Sequence, residues 1–172
     1  AKANHKLLHD FDLTKRLQHL IYLDANNLYG WSMSQFLPVG KFKWLNADSF
    51  PIDSFREWLM SIANKGYIFE VDMDYPHHLH DSHNCYPLAP EKLKITEEML
   101  SPFMREKFPE FKASAERLVP NLYGKTRYTV HYRNLQLYVD LGMVVTKLHK
   151  VLEFEQRPWL KPYISLNTEL RR

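Results

Sequence analysis

Between residues 67 and 75 the chain alternates. Tyr67, Phe69, Val71, Met73 and Tyr75 fall on one face, and Glu70, Asp72 and Asp74 on the other. A period of two with acids on the second face predicts a half-buried strand. Residues 144–155 alternate again, with Val144, Leu148, Leu152 and Phe154 against Lys147, His149, Glu153 and Glu155. The period changes at Phe55, Trp58, Leu59 and Ile62, which are spaced i, i+3, i+4 and i+7 as one helical stripe. With Asp53 as N-cap and Gly66 to close it, the stripe predicts a helix from 53 to about Lys65. Leu20, Ile21, Tyr22 and Leu23 form an unbroken apolar run, which predicts a buried strand over 19–24 that ends on Asp24. Residues 27–35 read as a short helix or turn ended by Leu37-Pro38. Leu118–Leu122 and Arg127–His131, on either side of Tyr123-Gly124-Lys125, predict a hairpin. Residues 133–141 predict a short helix stopped by Gly142, and Pro158 suits the start of a last one from Trp159 to Ile164. Five prolines (76, 87, 90, 102, 109) mark 76–116 as an extended connection with short helical turns. The elements add up to an α+β fold, an antiparallel sheet with packed helices.

Composition narrows the class. At 172 residues one domain is the default, and 45% apolar with 14% aromatic residues is ample for one core. No stretch approaches the roughly 18 apolar residues of a membrane helix, and the first residues carry no apolar signal core. The single cysteine, Cys85, forms no internal disulfide, which points to a reducing compartment, nucleus or cytoplasm. A chain that starts without Met and ends on Leu170-Arg171-Arg172 reads as an excerpt of something longer. Residues 117–172 hold ten Lys or Arg against four acids, a net +6, while the whole chain carries +3, so residues 1–116 carry −3. That asymmetry predicts either a polyanion-facing side or a solvated basic surface.

The candidate chemistry centres on Asp24. A carboxylate at the end of a buried strand is costly unless it is paired or binds a cation. Asp24 is followed by Asn26, Asn27, Leu28, Tyr29 and Gly30. This string resembles motif A of family B DNA polymerases, Asp-x-x-Ser-Leu-Tyr-Pro, with Asn27 in the Ser place and Gly30 in the Pro place. Its continuation through Trp31-Ser32-Met33-Ser34-Gln35 is similar to the protein-primed polymerases of viruses, organelles and large self-synthesising transposons. Gly66–Tyr75, His80–Glu91 and Leu118–Ile164 resemble the stretch between motifs A and B in those enzymes, so the resemblance covers nearly all of residues 20–170. It implies a partial palm over 1–75, a proline-rich connection over 76–116 and a primer- or DNA-side insertion over 117–172. It also implies Asp24 as a Mg2+ ligand, the backbone after it (Asn27, Leu28) facing a deoxynucleotide triphosphate, and Tyr29 beneath the sugar. The implied partners are primer–template DNA and a terminal-protein primer, with no membrane.

Equally informative is what does not match. Two-metal nucleotidyl transfer needs a second acid, and no Asp-Thr-Asp-like turn follows residue 74. Asn121-Leu122-Tyr123-Gly124-Lys125 imitates the triphosphate-gripping helix of motif B. Its spacing is one residue short, Arg117 stands in the Lys place, and Pro120 falls inside what must be helix. The chain is therefore expected to be inactive alone: a polymerase fragment or, alternatively, a domesticated remnant that binds nucleic acid or protein. Lys125, Arg127, Arg133, Lys147 and Lys161, interleaved with tyrosines, are the candidate nucleic-acid contacts; the other reading is a basic rim around half-buried tyrosines. Four histidines, two aspartates and Cys85 between Asp74 and Cys85 form either a zinc cluster of no familiar spacing or a polar loop. The acids Glu70, Asp72 and Asp74 read as a solvated strand face; a metal role for Asp72 requires its strand to adjoin Asp24's.

Overall fold

The strand with the clearest alternation organises the larger part of the molecule. In the computed structural model, which describes residues 2–62, 64–110 and 116–171, β2 (Lys65–Asp74) lies inside a four-stranded sheet. The others are β1 (Leu37–Leu45), β5 (Lys125–His131) and β6 (Val144–Arg157), in the order β1-β6-β2-β5, all antiparallel. Phe69 and Val71 are fully buried; Phe69 meets Val151 on β6 and Val130 on β5, and Val71 meets Leu148 and Tyr128. α2 (Phe55–Met60) and α5 (Tyr132–Asp140) cover this face with Phe55, Leu59, Leu135 and Val139. The predicted stripe packs as expected: Phe55 and Leu59 are buried, and Trp58 and Ile62 lie partly buried against the same core. Trp58 meets Phe50, Phe55, Tyr67 and Phe69 at ring separations of 4.7–6.1 Å. Gln136 donates to the Leu59 carbonyl at 2.8 Å and so locks α5 to the last turn of α2.

Several expectations need correction. Residues 19–24 form no strand. Leu20–Leu23 are 59–92% exposed, and the nearest pairing is an isolated bridge from Asn4 to Gln18. α2 is shorter than predicted: it ends at Met60 and follows a 3-10 turn over Ile52–Ser54, so Ser54, not Asp53, holds the N-cap place. Gly66 closes no helix. It lies in β2, where a Cβ would stand 2.0 Å from the Phe154 ring, so only glycine fits there. The predicted hairpin does not form. β4 (Glu116–Val119) pairs with β3 (Glu91–Lys94) in a separate two-stranded sheet, while β5 pairs with β2. The alternation of β6 is broken by two register shifts against β2, so Leu148 and Val151 face the core and Leu152 pairs across Ile68 instead. β1 and β3 carry no pattern that predicts them. α1 (Leu28–Met33) falls inside the predicted 27–35, α5 matches 133–141, and α6 (Lys161–Leu170) runs past Ile164. The connection 76–116 also holds two short helices, α3 (His80–His83) and α4 (Pro102–Lys107).

The chain divides into two compact units, Leu37–Arg157 with both sheets, and Ala1–Phe36 with Pro158–Arg172. In the second unit Asn4 ties down the N-terminal loop: its side chain accepts from the Asp12 N–H at 2.9 Å and donates to the Asp12 and Arg16 carbonyls, each at 3.0 Å. No helix among the described residues is long and apolar enough to cross a membrane.

One buried and one partly buried phenol give the larger unit an alkaline limit. Burial and the neighbouring Glu153, to which Tyr67 donates at 3.0 Å, push the Tyr67 phenol up to about 12. Burial likewise raises Tyr128 to about 12. In the unfolded chain a tyrosine ionises near its ordinary value of about 10. The unfolded state thus loses these protons first, and stability falls as pH rises from 10 towards 12, by up to about 1.4 kcal/mol per pH unit for each phenol. Burial has pushed the Lys125 amine below its ordinary value, so that group acts in the opposite sense below about 10.5. Urea midpoints from pH 9 to 11.5 should therefore be compared between the wild type and Tyr67→Phe, whose slope is expected to be flatter. Equal slopes would rule out the phenol as the cause.

Candidate functional site

The residues after Asp24 lead into α1, whose cap is Asn27. Asn27 takes a left-handed backbone (φ 51°) and its side chain accepts from the Gly30 N–H at 3.2 Å. A Cβ on residue 30 would meet that side chain at 2.3–2.6 Å, which explains a glycine in this place. A six-residue helix follows, ended at Ser34, whose hydroxyl donates to the Gly30 carbonyl at 2.8 Å. α6 packs beside α1 and leaves a cleft of about 380 Å³ lined by Asn27, Trp31, Ser165 and Thr168. Asp24 does not line it and is exposed, as are Leu28 at 55% and Tyr29 at 86%. Among the described residues no three His, Cys, Asp or Glu side chains come together as a metal site.

The sheet acids answer to other demands. Asp72 sits opposite a bulge: β5 pairs Tyr128 with Val71 and Lys125 with Met73, which leaves Arg127 in a left-handed conformation (φ 51°) with its N–H free of the ladder. The Asp72 carboxylate accepts that N–H at 2.7 Å and meets His149 Nε2 at 2.7 Å. The Arg127 N–H first, and His149 after it, hold Asp72 below the usual carboxylate range. Glu70 joins Arg127 at 2.6 Å and Lys150 at 3.2 Å. These acids stitch three strands together, a role visible only once the register is known.

The predicted basic contacts scatter. Lys125 is buried, its ammonium on Glu91 at 3.1 Å and on the Asn121 side chain, so it is out of reach of a phosphate in this fold. Arg127 is committed to Glu70. Arg133 lies over the Tyr132 ring at 5.9 Å. Lys147 projects from β6 and Lys161 begins α6, both exposed. The histidines of the connection buttress Tyr75: His83 Nδ1 lies 2.8 Å from its hydroxyl and His80 Nε2 lies 3.2 Å from its carbonyl, while the hydroxyl accepts from the Leu88 N–H at 3.1 Å. Sequence reasoning met Asn121 only in the string that imitates motif B and gave Glu91 no role; no local signal pairs Glu91 with Lys125, which stands 34 residues beyond it in the chain. No family model, no curated protein and no solved structure matches the chain.

Proposed function

We propose that the chain is a piece of a family B DNA polymerase of the protein-primed type, serving magnesium-dependent nucleotidyl transfer to a primer hydroxyl. The reading is carried by Leu20–Leu23, four successive large apolar side chains that stand 59–92% exposed and end on Asp24. An apolar run of this kind demands a cover, and a palm strand flanked by strands from elsewhere in a longer polymerase would have one. In that setting Asp24 holds a metal, the backbone at Asn27 and Leu28 faces the triphosphate, and Tyr29 supports the sugar. Arg133, Lys147 and Lys161 remain as the primer–template contacts; Lys125 does not.

One carboxylate is not a two-metal site, and no other acid converges with Asp24 into a metal group among the described residues. The 172-residue protein is therefore expected to make no product from a primed template with Mg2+ and four deoxynucleotides. Extension that Asp24→Ala abolishes would prove this wrong. The positive test is the full reading frame. A continuation with an Asn-Ser-x-Tyr-Gly-like helix and an Asp-Thr-Asp-like turn, active as expressed and inactive as Asp24→Ala, supports the polymerase. A stop codon soon after Arg172 favours a remnant kept as a binding module.

A further inference from the structure

α5 ends beside an opening in the core. Gly142, at φ 103°, turns the chain off the helix, and the Met143 N–H donates to the Tyr138 carbonyl at 2.9 Å. This closure folds Met143 back onto the core, where it is buried. Between that turn and the start of α2 lies a cavity of about 650 Å³. Its floor is apolar: Phe55 and Met143 are 2% exposed and Val139 is 7% exposed, with the partly buried Val145 beside them. Clefts of about 300–1,000 Å³ with an apolar lining and a few polar groups are where proteins hold small organic ligands. The whole lining belongs to the Leu37–Arg157 unit.

The rim carries the charge. Asp53 stands on the 3-10 turn before α2, Arg56 lies in the first turn of α2, and Asp140 is the last residue of α5; all three are exposed. Among the described residues none of the three side chains joins an ion pair. Two carboxylates against one guanidinium leave the rim with a negative excess. Asp140 also opposes its own helix. A helix C-terminus is the negative end of the dipole and favours a cation, yet the last turn of α5 has no basic residue and closes on an acid. A carboxylate and a negative helix end thus stand together over an apolar floor. A ligand that answers both carries a positive charge on an apolar body. A neutral apolar molecule gains nothing from Asp140, and an anion is repelled by it.

We propose that the cavity between α2 and α5 binds a small amphipathic amine, its aryl or alkyl body on the Phe55–Met143 floor and its protonated amino group against Asp140. Asp53 adds to the attraction, and Arg56 opposes it. The proposal does not depend on the polymerase reading, since it concerns only the Leu37–Arg157 unit and needs no nucleotide.

The probe is naphthylethylamine, with naphthylethanol and naphthylacetate as its neutral and anionic counterparts. Each is titrated into the full 172-residue chain carrying isotope-labelled methionine methyls, and binding is read by NMR. The amine should shift the Met143 methyl saturably, with half-saturation below about 1 mM. The alcohol should bind about tenfold more weakly, and the acetate should give no saturable shift. Asp140→Asn lies at an exposed helix end and relieves the clash with the dipole, so it should fold normally. It should weaken the amine about tenfold and leave the alcohol unchanged. Arg56→Gln should tighten the amine. No saturable Met143 shift, equal affinity for amine and alcohol, or an Asp140→Asn protein that holds the amine as well as the wild type would each overturn the proposal. So would shifts centred on Met33 or Met99, outside the cavity, or an Arg56→Gln protein that loses the amine, which would make the guanidinium the anchor.

Discussion

Phe69→Ala is expected to remove about 4 kcal/mol of stability, from a range of about 3–5 kcal/mol for a buried phenylalanine. Phe69 is fully buried, and its ring lies 5.6 Å from Phe55, 5.8 Å from Tyr67 and 6.1 Å from Trp58. Its backbone is fixed on both sides by Val130 and Val151. A cavity there cannot close by collapse, because the strands that bound it are held in register, so both the lost transfer energy and the cavity count. Trp58 has the larger ring but is only partly buried on a short helix. Trp58→Ala should cost less, about 2–3 kcal/mol. Urea unfolding with a common slope would compare the two. A Phe69→Ala loss under about 1.5 kcal/mol, or a Trp58→Ala loss exceeding it, would mean that the core is centred elsewhere.

The same residues show which parts of the fold can be read from the chain. β2 is legible because one of its faces is buried throughout, so the solvent–core contrast is written into every second residue from Tyr67 to Tyr75. β1 is illegible because Val39, Phe42 and Trp44 stay 44–67% exposed and bulges at Gly40 and beyond shift its register, leaving no clean period. Gly66 looks like a helix stop, and the true reason for it, the Phe154 ring, lies 88 residues on. Leu20–Leu23 fail in the other direction. The composition of a buried strand is present, but nothing among the described residues of the same unit covers it. The candidate site has the same character. Asn27 and Gly30 explain each other locally, whereas Asp24 is exposed and joins no metal-type cluster among the described residues.

Glu91→Ala should cost about 3 kcal/mol, and Lys125→Met close to nothing, although each breaks the same ion pair. The Lys125 side chain has no exposure, while that of Glu91 is 26% exposed. Removing Glu91 leaves a buried ammonium with only the Asn121 side chain to receive it, and an uncompensated buried charge costs about 3–5 kcal/mol. Two features hold the value at the low end. Water can enter through the space that Glu91 leaves, and burial has already pushed the Lys125 amine down towards deprotonation. Lys125→Met keeps the volume and removes the charge; the partly exposed Glu91 then turns to solvent and to its other partner, the Asn121 amide at 2.9 Å. The pH dependence separates this account from simple loss of packing. Without Glu91 only the neutral Asn121 side chain opposes the fall in the Lys125 value, so the Glu91→Ala deficit should shrink as pH rises towards the amine's ordinary 10.5, while that of Lys125→Met, which has no amine to lose a proton, should not shrink. Urea unfolding of both variants across that rise in pH is the measurement. A pH-independent Glu91→Ala deficit, or a Lys125→Met loss as large as it, would show that Lys125 is held by packing and not by its charge, and would reopen its assignment as a structural lysine.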